Sequence, residues 1–336
     1  MGAGELLCGD VGGTKCLLGL VDAAGVPHAV MSFPSARFAR FEDLCRAYLD
    51  GLDGLDGLDG RHEPPDAACF AVAGPVDGDF CATTNLPWQL DARALAAELG
   101  LARVRLVNDF HAQALAVLAL PPADLVEIVP GRAVAGGPIA VLGAGTGLGE
   151  ALLVQHGGRY EVIATEGGHK DFAPTSELQL ELYRALRARL GGRVSVERVL
   201  SGAGLAAIYR FLVERGTAPE SDAVRAGMAV EDPAAVVSRH ALAGDDALCV
   251  AAFALFVEVY AQEAGNLALQ LLARGGVYLA GGIAAKNLPR FQDGAFARAF
   301  HDKGRMRPLV ERIPVHVVTN PASGLVGAAV AGRRGE

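Results

Sequence analysis

The stretch ELLCGDVGGTKCLLGLVD, Glu5 to Asp22, decides how this chain is built. Two apolar runs, Glu5 to Asp10 and Cys16 to Val21, meet in a glycine-rich turn, the pattern of a β-hairpin. The layout recurs in PIAVLGAGTGLGEALLV, Pro138 to Val154, again strand, glycine turn, strand. A chain of 336 residues exceeds one comfortable hydrophobic core, so two lobes that each open on a glycine hairpin fit the length better than two unrelated domains.

Between and after the hairpins, strands alternate with helices. Phe41 to Leu49 reads as a helix, Ala67 to Ala73 as a strand, and Asp91 to Leu99 as a helix capped near Asp91. Val104 to Val107 is a strand, and Phe110 to Leu120 a helix stopped by Pro121 and Pro122. Later come helices at Ser176 to Leu190 and Asp245 to Ala273, strands at GVYLAGGI and Pro314 to Val318, and a short last helix in NPASGLVGAAVAG that packs back on the first lobe. The alternation is that of an α/β fold. The triplet repeat GLDGLDGLDG, Gly51 to Gly60, is a polar turn or link after the first helix.

Composition narrows the function. Hydrophobic residues make up 51% and charged residues 20%, the balance of a compact globular protein. A net charge of −8, with no basic run denser than GRR near the C-terminus, argues against nucleic acid as a partner. The N-terminus lacks the basic and apolar regions of a leader, and the longest apolar run, Ala247 to Val257, breaks at Glu258, so a soluble cytoplasmic protein with no membrane partner is expected. The six cysteines include no C-x-x-C pair and are expected to be reduced, although Cys8 and Cys16 could face each other across the hairpin.

GDVGGTK, Gly9 to Lys15, has the parts of a phosphate cradle: glycines that admit a backbone N–H to an anion, a hydroxyl in Thr14, a cation in Lys15 and an acid in Asp10 that could face magnesium. It is not a P-loop, because the order is G-G-T-K and a strand follows. A plain hairpin turn explains it as well. GAGTGLG, Gly143 to Gly149, is not a dinucleotide fingerprint: Leu148 stands where the third glycine belongs, and strand-like ALLV follows. Two such loops suit a polyphosphate, and Gly281-Gly282 after YLA could admit an adenine flat against the backbone.

Asn108 and Asp109 fall at the carboxyl end of a strand, where open α/β sheets bind ligands. Asp109 could accept a proton from a substrate hydroxyl while Asn108 holds a second hydroxyl; equally, Asp109 could simply cap the helix that follows. Glu166 and His169, three apart around two glycines, suit either a metal or a polyol. Glu197 opens an amphipathic stretch, where an acid commonly complements a helix dipole.

Taken in order, GDVGGTK, AVAGPVDGD, TNLPW, VNDF, GAGTGLG, EGGHKDFAP, ERVLSG, LAGGI and NPASGLVGAA resemble the bacterial ATP-dependent glucokinases of the actin-like, hexokinase-type ATPase superfamily, from about Glu5 to Ala331. The resemblance implies a two-lobed actin-like (ribonuclease H-like) α/β fold with a ligand cleft between lobes. The small lobe would be residues 1–118 with 319–336, and the large lobe 119–318. It implies ATP-dependent phosphorylation of D-glucose at its 6-hydroxyl by a cytoplasmic homodimer. Asp109 would be the general base, and Asn108, Asp109, Glu166, His169 and Glu197 the sugar ligands. Gly9, Asp10, Val11, Gly12, Gly13 and Thr14 would form one phosphate loop and Gly143, Gly145, Thr146 and Gly147 the other. Gly281 and Gly282 would take adenosine, and Asp10 would act on ATP-bound Mg2+ through water.

One departure is Lys15, which stands where this group more often has Asn, a change toward the related repressor/ORF/kinase sugar kinases. Those relatives, however, carry a cysteine-rich zinc motif after the substrate His, and here KDFAPTSELQLEL follows His169 without a cysteine. The alternatives are a kinase of fructose, mannose or N-acetylglucosamine, or a non-catalytic sugar sensor on the same fold.

Overall fold

The computed structural model describes residues 5–52, 65–83 and 86–335. Most of the GLD repeat, and Thr84 and Asn85 of TNLPW, lie outside the described residues. The chain divides into two compact units, Met1–Asp124 with Asn320–Glu336, and Leu125–Thr319.

The first unit runs β1 (Leu6–Val11), β2 (Lys15–Val21), β3 (Pro27–Pro34), α1 (Phe41–Leu52) and β4 (Ala67–Val72). Short strands β5 (Val76–Asp77), β6 (Phe80–Ala82) and β7 (Gln89–Asp91) follow, then α2 (Ala92–Leu99), β8 (Arg103–Asn108) and α3 (Asp109–Val117). The main sheet has the order β3-β2-β1-β4-β8. β1 and β2 form the expected hairpin, while β4 and β8 lie parallel to β1, so β1, β4 and β8 all end on one edge of the sheet. Cys8 pairs with Gly19 and Cys16 with Val11, so the two cysteines do not face each other, and all six cysteines are buried thiols. The α3 helix ends at Val117, four residues before Pro121: Leu118 caps it, and the chain makes turns to Leu120.

The second unit is larger. Its strands are β9 (Leu125–Val129), β10 (Ile139–Ala144), β11 (Leu148–His156) and β12 (Arg159–Thr165). The helices α4 (Glu177–Leu190), α5 (Gly202–Glu214), α6 (Asp222–Met228), α7 (Pro233–Ala243) and α8 (Ala247–Leu271) come next. Then come β13 (Gly276–Ala280), α9 (Gly282–Lys286), α10 (Leu288–Phe291), α11 (Ala295–His301), α12 (Arg307–Val310) and β14 (Val315–Val318). The sheet order is β12-β11-β10-β13-β14-β9, with β10 and β11 forming the second glycine hairpin. Long enough and apolar enough to cross a membrane, α8 instead has 72% of its most apolar window buried inside the protein. It is the core helix of this unit, ringed by Phe291, Phe296 and Phe300.

The last helix, α13 (Ser323–Arg334), returns to the first unit and packs on α3, β1 and β4. Its sequence SGLVGAAVAGRR is rich in small residues because its neighbours come within backbone distance. A Cβ on Gly327 would overlap the Ala112 carbonyl of α3, and one on Gly332 would sit 2.9 Å from Cys69 Cβ in β4. Close approach of this kind, with glycine in place of side chains, brings the start of α13 onto the end of β1.

Candidate active site

At the end of β1 the phosphate-loop motif divides into two parts. Gly9, Asp10 and Val11 are strand residues, paired with Leu18, Leu17 and Cys16, and only Gly12, Gly13 and Thr14 make the turn. A Cβ on Gly9 would lie 2.6 Å from the Phe70 ring, so core packing by itself accounts for the glycine there. The turn is braced from behind: Gly12 N–H donates to the Lys15 carbonyl at 3.2 Å, and Ser35 Oγ donates to the Gly12 carbonyl at 2.8 Å.

Asp10 lies under this turn, with the start of α13 against it: a Cβ on Gly324 would fall on the Asp10 carboxylate. Burial pushes Asp10 up to about 6 from 3.8, with the Lys15 ammonium offsetting part of the rise. Between those values the folded protein holds a proton that the unfolded chain has released. Its contribution to stability is therefore fully present below about 3.8 and lost as pH rises through about 6. Replacing Asp10 with Asn should flatten that loss and raise unfolding free energy at pH 7 by about 1–3 kcal/mol. Thermal melts of both proteins across pH 4 to pH 7, with no ligand added, check it; a variant with the wild-type pH dependence would refute it. A carboxylate held this far from comfort suits a cation. Among the described residues, no group of three or more His, Cys, Asp or Glu could hold a metal ion.

At the end of β8, Asn108 is the cap of α3, a role the sequence offered to Asp109 instead. Asn108 Oδ1 accepts from Phe110 N–H at 2.9 Å and His111 N–H at 3.2 Å, while Asn108 Nδ2 donates to the Gly74 carbonyl at 3.1 Å. Asp109 is the first residue of α3, its Oδ1 accepting from Phe110 N–H at 2.9 Å. Gly74, in AVAGPVDGD, was not singled out: at φ 152° it takes a backbone that L side chains rarely adopt, with Ala82 O only 2.9 Å from where a Cβ would stand. That geometry presents its carbonyl to Asn108. The Cys81 thiol, pushed up by burial, is raised further by the Asp109 carboxylate.

In the second unit, Gly143 lies in β10, opposite Gly149, and the turn proper is Gly145 to Gly147, closed by Gly145 N–H donating to the Gly147 carbonyl at 2.8 Å. Gly145 has no protein atom within 4 Å of the position a Cβ would take, so packing does not account for its being glycine. Gly281, at φ 79°, caps α9, and a Cβ on it would stand 2.8 Å from the Ala144 carbonyl; the β10 turn and the Gly281-Gly282 turn are therefore neighbours.

Glu166, His169 and Glu197 come together in the same unit. Glu166 precedes a single 3-10 turn, Gly167–His169, and Glu197 lies in another, Val196–Arg198. His169 Nε2 is 3.7 Å from Glu166 Oε2, and His169 Nδ1 is 4.0 Å from Glu197 Oε1, too far for hydrogen bonds between them. Glu197 does not complement a helix dipole: the next helix, α5, begins at Gly202 with Ser201 as its cap. Its Oε2 accepts from Leu148 N–H at 3.0 Å, and a Cβ on Gly147 would lie 2.6 Å from that oxygen, so Gly147 makes room for it. The cluster offers acceptors and a ring nitrogen at a spacing suited to several hydroxyls.

A family model for Glucokinase matches residues 7–334. The Glucokinase of Trichormus variabilis is 42% identical over 345 aligned positions, covering 98% of this chain and 99% of that one. The crystal structure of glucokinase from an Antarctic psychrotroph is 31% identical, with a TM-score of 0.79 over 98% of this chain and 99% of that one. A glucokinase from Balamuthia mandrillaris in complex with glucose, 20% identical, has a TM-score of 0.80 over 99% of this chain and 94% of its own, a likeness of fold.

Proposed function

This chain belongs to the glucokinase family, and from that premise we propose that it transfers the γ-phosphoryl group of ATP to the 6-hydroxyl of D-glucose, giving glucose 6-phosphate and ADP. The observation that carries the mechanism is the placement of Asp109 at the carboxyl end of β8, its neighbour Asn108 having taken over the helix cap. With the cap provided, the Asp109 carboxylate can serve as the general base.

In this mechanism Asp109 accepts the proton of the sugar 6-hydroxyl as its oxygen bonds to the γ-phosphorus and the bond from that phosphorus to the β,γ-bridging oxygen breaks. General-base help of this kind is worth about 10²–10⁴-fold. Asn108 retains one amide N–H for a second hydroxyl, and Glu166, His169 and Glu197 take the remaining hydroxyls. With the Gly12 and Gly145 N–H groups closing their own turns, the later residues of the two turns, Gly13 and Thr14 in one and Thr146 and Gly147 in the other, would face the phosphates, and Gly281-Gly282 would accept the adenosine. Asp10 would hold an ATP-bound magnesium ion through water, and the ion would supply charge neutralisation on the phosphates. Lys15 adds a cation beside the first turn. The family resemblance also implies a homodimer in the cytoplasm, whose size light scattering reads directly.

ADP release by the purified protein with Mg-ATP, compared across glucose, mannose, fructose, N-acetylglucosamine and no sugar, tests the assignment. Turnover with glucose at least about tenfold above the others is expected, since a site built to bond a hydroxyl rejects sugars that misplace it. A preference for another hexose would move the protein to that activity. No sugar-dependent release would make it a sensor.

A further inference from the structure

Beneath the loop that carries Glu166 and His169 lies a buried ionic cluster that the mechanism does not use. Glu150, in β11, is 1% exposed, and Glu263, in α8, is 5% exposed. Lys170, the residue after His169, reaches down between them: its Nζ lies 2.8 Å from Glu150 Oε2, 3.1 Å from Glu150 Oε1 and 2.5 Å from Glu263 Oε1. Two buried carboxylates this close are unfavourable unless a cation stands between them. On the α8 side a second lysine, Lys303, donates to Asn266 Oδ1 at 2.8 Å, and Asn266 Nδ2 reaches Glu263 Oε2 at 3.4 Å.

Lys170 also ties its own loop to the Val196–Arg198 turn by its backbone. The Lys170 carbonyl accepts from Val196 N–H at 2.9 Å, one residue before Glu197, and Lys170 N–H donates to the Gly167 carbonyl at 3.1 Å. Gly167 is glycine because a Cβ there would strike the Glu150 carboxylate, and Gly168 because one would strike the Leu148 carbonyl. The loop is thus laid directly on the first residues of β11. Leu148 N–H holds Glu197, the Leu148 carbonyl supports Gly168, and the Glu150 side chain supports Gly167 and anchors Lys170.

We propose that Lys170, clamped by Glu150 and Glu263, is a positioning residue for sugar recognition, holding Glu166, His169 and Glu197 in register on the start of β11. The proposal rests on the glucokinase reading for the sugar's identity, while the clamp itself is a property of the loop. Lys170 Nζ is taken up by the two carboxylates. Its effect is to set the spacing of those three groups.

The experiment compares Lys170→Met, which keeps length and removes charge, with Lys170→Arg, which keeps charge. For Lys170→Met the KM for glucose is expected to rise about 10- to 100-fold with the KM for Mg-ATP nearly unchanged, and Lys170→Arg to recover most of the loss. A role confined to folding would lower the amount of active protein without this split. Should Lys170→Met fail to fold, Glu263→Gln, which leaves an amide partner for Lys170, is expected to raise the KM for glucose in the same direction. A glucose KM in the folded variants equal to wild type overturns the proposal. If the wild type itself turns over no glucose, the kinase reading fails, and amide hydrogen exchange at residues 165–170 decides the clamp separately. Faster exchange in Lys170→Met supports it, and equal exchange overturns it.

Discussion

Replacing Asp109 with Ala is expected to lower kcat for glucose phosphorylation by about 10²–10⁴-fold, with the KM for Mg-ATP nearly unchanged. Asp109→Asn should fall as far, because an amide keeps the size and the Phe110 N–H bond but cannot take the proton. The two variants together separate chemistry from structure. Asn108 continues to cap α3 in both, so their melting temperatures should stay near wild type. Steady-state kinetics with a coupled ADP assay check the result. Turnover near the wild-type rate in either variant would remove Asp109 from the role of base and send the search to the Glu166, His169 and Glu197 cluster.

The second large effect is structural and falls far from any reacting atom. Gly327→Ala should destabilise the first unit by about 3 kcal/mol or more, because the added methyl group would occupy the position of the Ala112 carbonyl. Neither neighbour can yield cheaply: Ala112 is backbone in the middle of α3, and α13 is held on its other side by β1 and β4. Relief requires the helices to separate, which would draw Gly324 away from Asp10 and loosen the turn at Gly12 to Thr14. The expected signature is a lower thermal midpoint with a weakened response to Mg-ATP. An unchanged midpoint would show that the α3 and α13 contact is softer than its geometry.

Much of the candidate site was legible because it is local. The hairpins around Gly12 and Gly145, the strand ending at Asn108 and the cap at Asp91 follow from residue types a few positions apart. The local sequence left choices open where a residue could serve more than one role. Asn108 and Asp109 are both good caps, and which one caps depends on whether the other is required elsewhere. Gly9 stands in a glycine motif, yet it is small for the sake of Phe70, a partner in another strand. Glu197 looked like a helix acid, and only the path of β11 supplies the Leu148 N–H that holds it.

The sequence by itself determined the two glycine hairpins, the α/β alternation and the family, since each rests on short spacings or on motifs in a particular order, and it put forward the candidate residues for sugar and phosphate. What only the tertiary structure decided is which of those residues are held and by what. Gly74 supports Asn108, Gly324 abuts Asp10, and Glu150 and Glu263 grip Lys170. Such contacts join positions far apart in the chain, and hydrophobic periodicity carries no information about them. Burial creates their strength, because a carboxylate or an amide becomes costly to leave unpaired only once the fold has removed it from water.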